Sequence, residues 1–342
     1  DAIQTCAADS MCAVSCPVHI DTGALVTRLR AEQQGKAAGK LGKVAARNWK
    51  AVTTVLASAL TVAKKSPPML VQSANALMRT MMGADVVPKW NQGLPKGGAQ
   101  RKPISNLKAD ILYFPSCINS LFGVSGEASG VQTAFLKLCE RAGIEVAIPE
   151  AIADLCCGTP WKSKGLADGY QEMSARTKEE ILKGAKAQGI PVVCDATSCT
   201  DGLTYLFASS KQEIEILDAL EFIADRVLSK LTITQKVPSL ALHPTCSGVQ
   251  LGLNAKMSQI AQVIADEVFI PENWACCGFA GDRGLLHPEL TASAVAAEAK
   301  EIKSKSFAKY ASSNRPCEIG MSQATGQTYQ HLIELLEQVS RT

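Results

Sequence analysis

The tripeptide Cys-Cys-Gly occurs twice in this chain, as Cys156-Cys157-Gly158 and as Cys276-Cys277-Gly278. Each copy has a lone cysteine upstream after a Pro-x pair, in Pro115-Ser116-Cys117 and Pro244-Thr245-Cys246. Each also has a cysteine downstream, Cys199 and Cys317. The copies are offset by roughly 120 residues, the length of a small domain and not of a solenoid unit. The chain is therefore expected to fold as two similar units, each presenting its own set of thiols.

The thirteen cysteines are odd in number and gathered in motifs. That pattern argues for metal or redox work in a reducing, cytoplasmic compartment rather than for a disulfide scaffold. Hydrophobic content of 46% and charged content of 20% are globular values, and 342 residues suffice for two cores. A net charge of +3 gives no reason to invoke nucleic acid, though it tolerates an anionic membrane surface or an acidic partner. The longest apolar run, residues 51–63, is too short to cross a bilayer as a helix. It reads as a buried or docking helix, with peripheral contact on the inner face of the cytoplasmic membrane as the alternative. The chain opens on Asp1 without a methionine, and this reads as a piece of a longer polypeptide.

Four regions follow from the patterning. Residues 1–22 hold Cys6, Cys12 and Cys16-Pro17. Residues 23–107 read as helices and linkers, with Asp21 or Thr22 as the first cap and Pro67-Pro68 as a break. In residues 108–236, strands are expected at 110–115, 144–148 and 191–194, with helices at 131–142 and 170–186. Residues 237–342 repeat the plan, with a strand at 239–242 and helices at 253–267 and 288–305. Strands alternating with helices predict an α/β fold of two similar domains with parallel sheets, their cysteines at strand and loop ends.

The N-terminal cysteines form the run Cys6-x5-Cys12-x3-Cys16-Pro17. This nearly matches the bacterial ferredoxin pattern C-x2-C-x2-C-x3-C-P, with Asp9 in the second position. The run predicts either a [4Fe-4S] cluster with an Asp ligand or a [3Fe-4S] cluster.

The two larger sets are Cys117, Cys156, Cys157, Cys194 and Cys199, then Cys246, Cys276, Cys277 and Cys317. Adjacent cysteines point apart in a regular strand, and a following glycine lets the backbone turn so that both sulfurs face one site. Two neighbouring thiolates suit a polynuclear iron–sulfur cluster better than a single tetrahedral zinc, which favours C-x2–4-C pairs. Zinc and a thiol–disulfide redox pair stay open as alternatives. A cation follows each motif, Lys164 and Arg283. His243 reads as a structural histidine at a strand end, or as a proton relay. Cys139, in mid-helix, reads as a buried apolar residue, and Trp161 as packing beside the first motif. His19, His287 and His331 have no evident partner.

The doubled motif resembles the paired cysteine-rich domains found in heterodisulfide reductase, in the iron–sulfur component of glycolate oxidase and in anaerobic glycerol-3-phosphate dehydrogenase. The segments 5–23 and 314–326 resemble the C-terminal half of bacterial FAD-linked D-lactate dehydrogenases. That resemblance spans essentially the whole chain. It implies FAD and lactate chemistry in a flavin domain ahead of this region, with electrons relayed through clusters here to a quinone or cytochrome. It further implies non-cubane clusters at the Cys-Cys-Gly sites and no lactate oxidation by the chain alone. The alternatives are a heterodisulfide-reductase-like protein that cleaves a disulfide at such a cluster, and a zinc-stabilised interaction module without a redox role.

Overall fold

The computed structural model describes residues 2–124, 128–208 and 213–341; Asp1 lies outside them. It is a mixed α/β structure with two four-stranded, all-parallel sheets. The first contains β1 (Ile111–Phe114), β2 (Val146–Ala147), β3 (Val192–Cys194) and β4 (Ile216–Asp218), in the order β2-β1-β3-β4. The second contains β5 (Val237–Leu242), β6 (Ala265–Phe269), β7 (Lys309–Ser312) and β8 (Tyr329–His331), in the order β6-β5-β7-β8. The two sheets thus have the same connectivity. All four side chains of β1 are buried, as expected of a parallel strand covered on both faces.

In each sheet the chain runs outward from the central pair in opposite directions, which opens a crevice at the carboxyl ends of β1 and β3, and of β5 and β7. Crevices of this kind are where open α/β sheets bind ligands. A hydrophobic core runs through the first sheet into β5 and the helices Asn254–Ile264 and Leu332–Val339. At that seam Arg141 pairs with the buried Glu337 at 2.7 Å.

The helix expected at 253–267 stops at Ile264, and the next five residues form β6 instead. Ala265 leaves the helix with extended backbone, and the segment pairs along β5 from Val237 to Ala241. Its exposed Asp266 and Glu267 give it no strand-like alternation in sequence. The helix expected at 288–305 is broken at Val295 into Pro288–Ala294 and Ala296–Lys303.

Ahead of the sheets lie α1 (Thr22–Gln33), α2 (Lys36–Arg47), α3 (Trp49–Lys65) and α4 (Pro68–Met82). The Asp21 carboxylate caps α1 by accepting from the Ala24 amide at 3.1 Å. Pro67 and Pro68 separate α3 from α4. The apolar run 51–63 lies within α3, which buries Trp49, Thr53 and Ala57 and leaves Val55, Leu56 and Val62 exposed. By contrast, α4 buries no side chain. No helix among the described residues is long and apolar enough to cross a membrane.

Candidate metal centre

The shared connectivity places the two thiol sets at equivalent points. Cys117 follows β1 and begins a short helix, Ile118–Leu121; Cys246 follows β5 and begins Cys246–Gln250. Cys199 lies in the first turn of Thr197–Ala208, after β3, and Cys317 in the first turn of Arg315–Thr325, after β7. The Cys-Cys pairs sit in the remaining crossover of each repeat. Gly158 and Gly278 both adopt left-handed backbone, with φ of 89° and 66°. This is the sharp turn that brings neighbouring sulfurs to one side.

Both sets face one cavity of ≈ 1770 Å³. Its lining includes Cys117, Cys156, Cys157 and Cys199 from the first repeat and Cys246, Cys276, Cys277 and Cys317 from the second. A polar network holds the repeats together at this point. Asn314 Nδ2 donates to Thr197 Oγ1 at 2.7 Å and to Ser247 Oγ at 3.1 Å, and Thr197 Oγ1 also meets Thr245 Oγ1 at 3.2 Å. Lys164, the cation trailing the first motif, pairs with Asp282, which precedes the cation of the second.

In the first site the thiols form a row. Cys117 Sγ lies 3.4 Å from Cys156 Sγ; Cys157 interacts with Cys156 and Cys199, and Cys199 with Cys194. Five soft donors exceed the four that a tetrahedral zinc takes. The donor set therefore fits a polynuclear thiophilic group. Hydrogen bonding to Cys156 and the nearby Arg101 guanidinium hold the Cys117 thiol below its ordinary range, despite burial. Hydrogen bonds from Cys156 and Cys199 lower Cys157 well below its usual value. The partners in these bonds move the other way: hydrogen bonding to Cys117 and Cys157, then burial, raises Cys156 well above its usual value, hydrogen bonding to Cys157 and Cys194, then burial, does the same to Cys199, and burial raises Cys194.

The second site is built differently. Cys277 Sγ lies 3.2 Å from Cys317 Sγ. His243, Cys277 and Cys317 present ligand atoms within 4.8 Å of one another, and so do Asp9, Cys246 and Cys276. No thiol here is lowered. Hydrogen bonding to Cys276, then burial, raise Cys246, and Cys277 is pushed up to about 12 by Cys317 and burial, which outweigh the lowering hydrogen bond from Cys276. Burial alone would depress the His243 imidazolium, but the nearby Cys277 sulfur and the hydrogen bond to Glu298 raise it to about 9. A metal would therefore have to displace protons to bind there.

The N-terminal run is not gathered into a group of its own among the described residues. Asp9 stands beside Cys246 and Cys276, while Cys12 is exposed and accepts a hydrogen bond from Thr22 Oγ1 at 3.0 Å. Cys6 and Cys16 are half-buried, and neither lines the cavity. Two long-range contacts hold the segment in place. The buried Arg30 guanidinium donates to the carbonyls of Ile3, Cys6 and Ser163, and Gln250 Nε2 donates to the Ser10 carbonyl at 3.1 Å.

Arg101 and Asp195 emerge only from the structure. Arg101 is buried and donates to the carbonyls of Pro115 and Leu155, at 2.9 and 2.7 Å, just ahead of Cys117 and Cys156 in the chain. The Asp195 carboxylate accepts from Tyr113 Oη and the Ser116 amide, at 2.6 and 2.7 Å, and so fixes the loop that presents Cys117. Neither residue stands in a recognisable motif, so the sequence offers no signal for them. Cys139 is buried and pushed up to about 12, the behaviour of an apolar core residue. Trp161 donates Nε1–H to the Gly42 carbonyl at 2.8 Å and packs on Trp49, so it serves the packing of α2 and α3.

Residues 111–203, from β1 into the helix that carries Cys199, match the family model of the CCG cysteine-rich domain. No curated protein matches the chain.

Proposed function

We propose that this chain is the electron-transfer part of a flavin-linked D-2-hydroxyacid dehydrogenase, D-lactate being the substrate suggested by the resemblance. It would receive electrons from FAD in a flavin domain and pass them through iron–sulfur groups to a quinone or cytochrome. The observation that carries this reading is the convergence of eight thiols, from two repeats of one connectivity, on a single cavity. The CCG match over the first repeat supports it. When bound, iron–sulfur groups would supply one-electron transfer. The residues' part is to hold them (Cys117, Cys156, Cys157, Cys194 and Cys199 at the first site), to offset thiolate charge (Arg101) and to fix the spacing of the two sites (Thr197, Ser247 and Asn314).

The test is anaerobic purification followed by iron, sulfide and zinc analysis with a visible spectrum. Bound iron and sulfide with visible absorption sustain the reading. A colourless protein with one equivalent of zinc sinks it in favour of a zinc-stabilised module. In the full-length enzyme, Cys156→Ser with Cys157→Ser should abolish acceptor reduction while lactate still reduces the flavin. Because both thiol sets share one cavity, disulfide cleavage there is the second reading, and loss of a disulfide substrate on addition to the reduced, cluster-loaded chain would favour it.

Helices α3 and α4 support an acceptor at a membrane. Residues 33–102 hold twelve lysines and arginines against one carboxylate, Asp85. On α4, Met69, Leu70, Leu77, Met81 and Met82 are all exposed. An apolar face flanked by cations is what an interfacial helix presents to anionic lipid. The same cavity that the thiols line is bordered by Leu56, Leu70, Val71 and Met78 of α3 and α4, so it opens beside this face. Cosedimentation with phosphatidylserine vesicles should therefore occur, weaken at high salt, and be lost when Met69, Leu70, Leu77 and Met81 are changed to Ser. Equal binding to neutral vesicles, or no binding, removes the anionic surface as the partner.

A further inference from the structure

The two repeats differ in how many thiols they bring. Where β3 ends on Cys194, β7 ends on Ser312, so the second site has one thiol fewer. On the neighbouring strand end the difference runs the other way. β1 ends on the core residue Phe114, whereas β5 leads directly into His243.

His243 is completely buried. Its backbone amide donates to the Ala311 carbonyl at 2.9 Å, and its carbonyl accepts from Ser312 Oγ at 3.0 Å, so the residue is fixed against the strand that lacks the fifth thiol. Its Nδ1 lies 2.8 Å from Glu298 Oε1, itself buried on the helix Ala296–Lys303. In the neutral ring, with Nδ1–H donating to that carboxylate, the lone pair is on Nε2, and a metal there would take the place of the Nε2 proton. That atom has no hydrogen-bond partner of ordinary geometry among the described residues. The His243 ring nitrogen and the sulfurs of Cys277 and Cys317 lie within 4.8 Å of one another. A buried histidine with one nitrogen held by a carboxylate and the other directed at thiols is the arrangement of a metal-binding imidazole with its orienting partner. A histidine kept only for packing would leave Nε2 unsatisfied, which folded proteins avoid.

We propose that His243 Nε2 is a metal ligand at the second site, completing a mixed thiolate–imidazole set with Cys277 and Cys317 and oriented by Glu298. The metal class is a thiophilic transition metal, for which thiolate and imidazole are both suitable donors. On the reading above, that metal is the iron of an iron–sulfur group. Imidazole in place of thiolate raises the potential of such a group. The second site is then the more oxidising of the pair: the first is oxidised by one electron as the second is reduced by one.

The test uses the whole chain with its four histidines labelled with 15N, loaded anaerobically with ferrous iron and sulfide, reduced, and measured by pulsed EPR. Wild type should show a histidine-nitrogen coupling. His243→Cys should keep its iron and lose the coupling, which separates ligation from folding. Glu298→Gln should keep the coupling but bind second-site metal about 10–100-fold more weakly. An iron-loaded wild type without histidine coupling, or a coupling that survives in His243→Cys, overturns the proposal. If the chain takes up no iron and sulfide, the iron–sulfur reading fails by itself. The labelled protein is then loaded with 113Cd. A cadmium–nitrogen coupling lost in His243→Cys sustains the ligand assignment, and its absence in wild type overturns it.

Discussion

The two repeats share a strand order and the placement of their Cys-Cys-Gly turns, yet they surround their thiols with different chemistry. The first has five cysteines and a buried cation, Arg101, against Cys117. The second has four cysteines, a buried His243–Glu298 pair and the carboxylate of Asp9 reaching in from the N-terminal segment. A duplicated fold therefore keeps the backbone geometry that collects ligands and varies the donors. The first repeat holds two of its thiols, Cys117 and Cys157, below their ordinary range and raises the other three, whereas the second raises all four.

The comparison can be broken most severely by removing one Cys-Cys pair. Cys156→Ser with Cys157→Ser should eliminate first-site metal and leave the second-site metal in place. The pair Cys276→Ser and Cys277→Ser should do the reverse. Metal analysis with EPR reads both. Loss of all metal from either variant would mean that the sites load as one unit.

The next effect concerns a matched pair of helix caps. β4 ends on Asp218 and β8 on His331, and each caps the helix that follows. Burial raises Asp218 to about 7 and lowers His331 to about 3, so each is held uncharged by opposite shifts. Between pH 4 and 7 native Asp218 binds a proton that the unfolded chain has released, so its contribution to stability falls as pH rises. Asp218→Asn should remove that slope, a difference of about 4 kcal/mol at most over the window. His331 has the opposite sign: its contribution falls as pH drops from 6.5 towards 3. Urea unfolding at pH 5 and pH 8 tests the first. An Asp218→Asn variant with the wild-type pH slope would show that the caps are not equivalent in this sense.

A smaller contrast lies in the glycine turns. A Cβ at Gly158 would stand 2.7 Å from Tyr170, whereas one at Gly278 would meet Ala294 at 3.1 Å. Both substitutions also impose left-handed backbone on alanine. Gly158→Ala should cost about 3 kcal/mol and Gly278→Ala about 1–2 kcal/mol. Equal costs in thermal unfolding would mean that backbone conformation, and not the tyrosine, sets the penalty.

The smallest effect is at the N-terminal thiols, which lie outside both sites. Cys12 is lowered by its hydrogen bond from Thr22, and Cys16 by backbone amides near Ile20. In the metal-free, reduced chain, iodoacetamide should modify these two first at neutral pH. Faster labelling of Cys246 or Cys276, followed by mass spectrometry, would place the accessible thiolates at the second site instead.

Much of this is legible in the amino-acid sequence because it is local. The apolar run 110–115 and the Pro-Val-Val-Cys of 191–194 carry enough β-branched and aromatic character to mark central strands. The Cys-Cys-Gly tripeptides state their own turn, and the doubling implies two similar units. β6 reads as helix in sequence because Ala265-Asp-Glu-Val-Phe continues a helical pattern, and only pairing with β5 makes it a strand. β4, β7 and β8 carry no clear sequence signal for a related reason: they are short, and their identity comes from the neighbours they pair with.

Candidate ligands are far easier to name from sequence than to assign to a site. Spacing groups Asp9 with Cys6, Cys12 and Cys16, a strong local signal, yet its carboxylate stands beside Cys246 and Cys276. That placement rests on Arg30 gripping the carbonyls of Ile3 and Cys6 and on Gln250 holding Ser10, contacts between residues far apart in the chain. His243 and Arg101 become informative for the same reason. By itself the sequence determined the repeat, the thiol inventory and the turns that pair adjacent sulfurs, since these depend on neighbours along the chain. Only the tertiary structure decided that both thiol sets open on one cavity, and which cation, imidazole and carboxylate attend each. Those are distances between groups on different strand ends, and parallel crossovers bring such ends together from scores of residues apart.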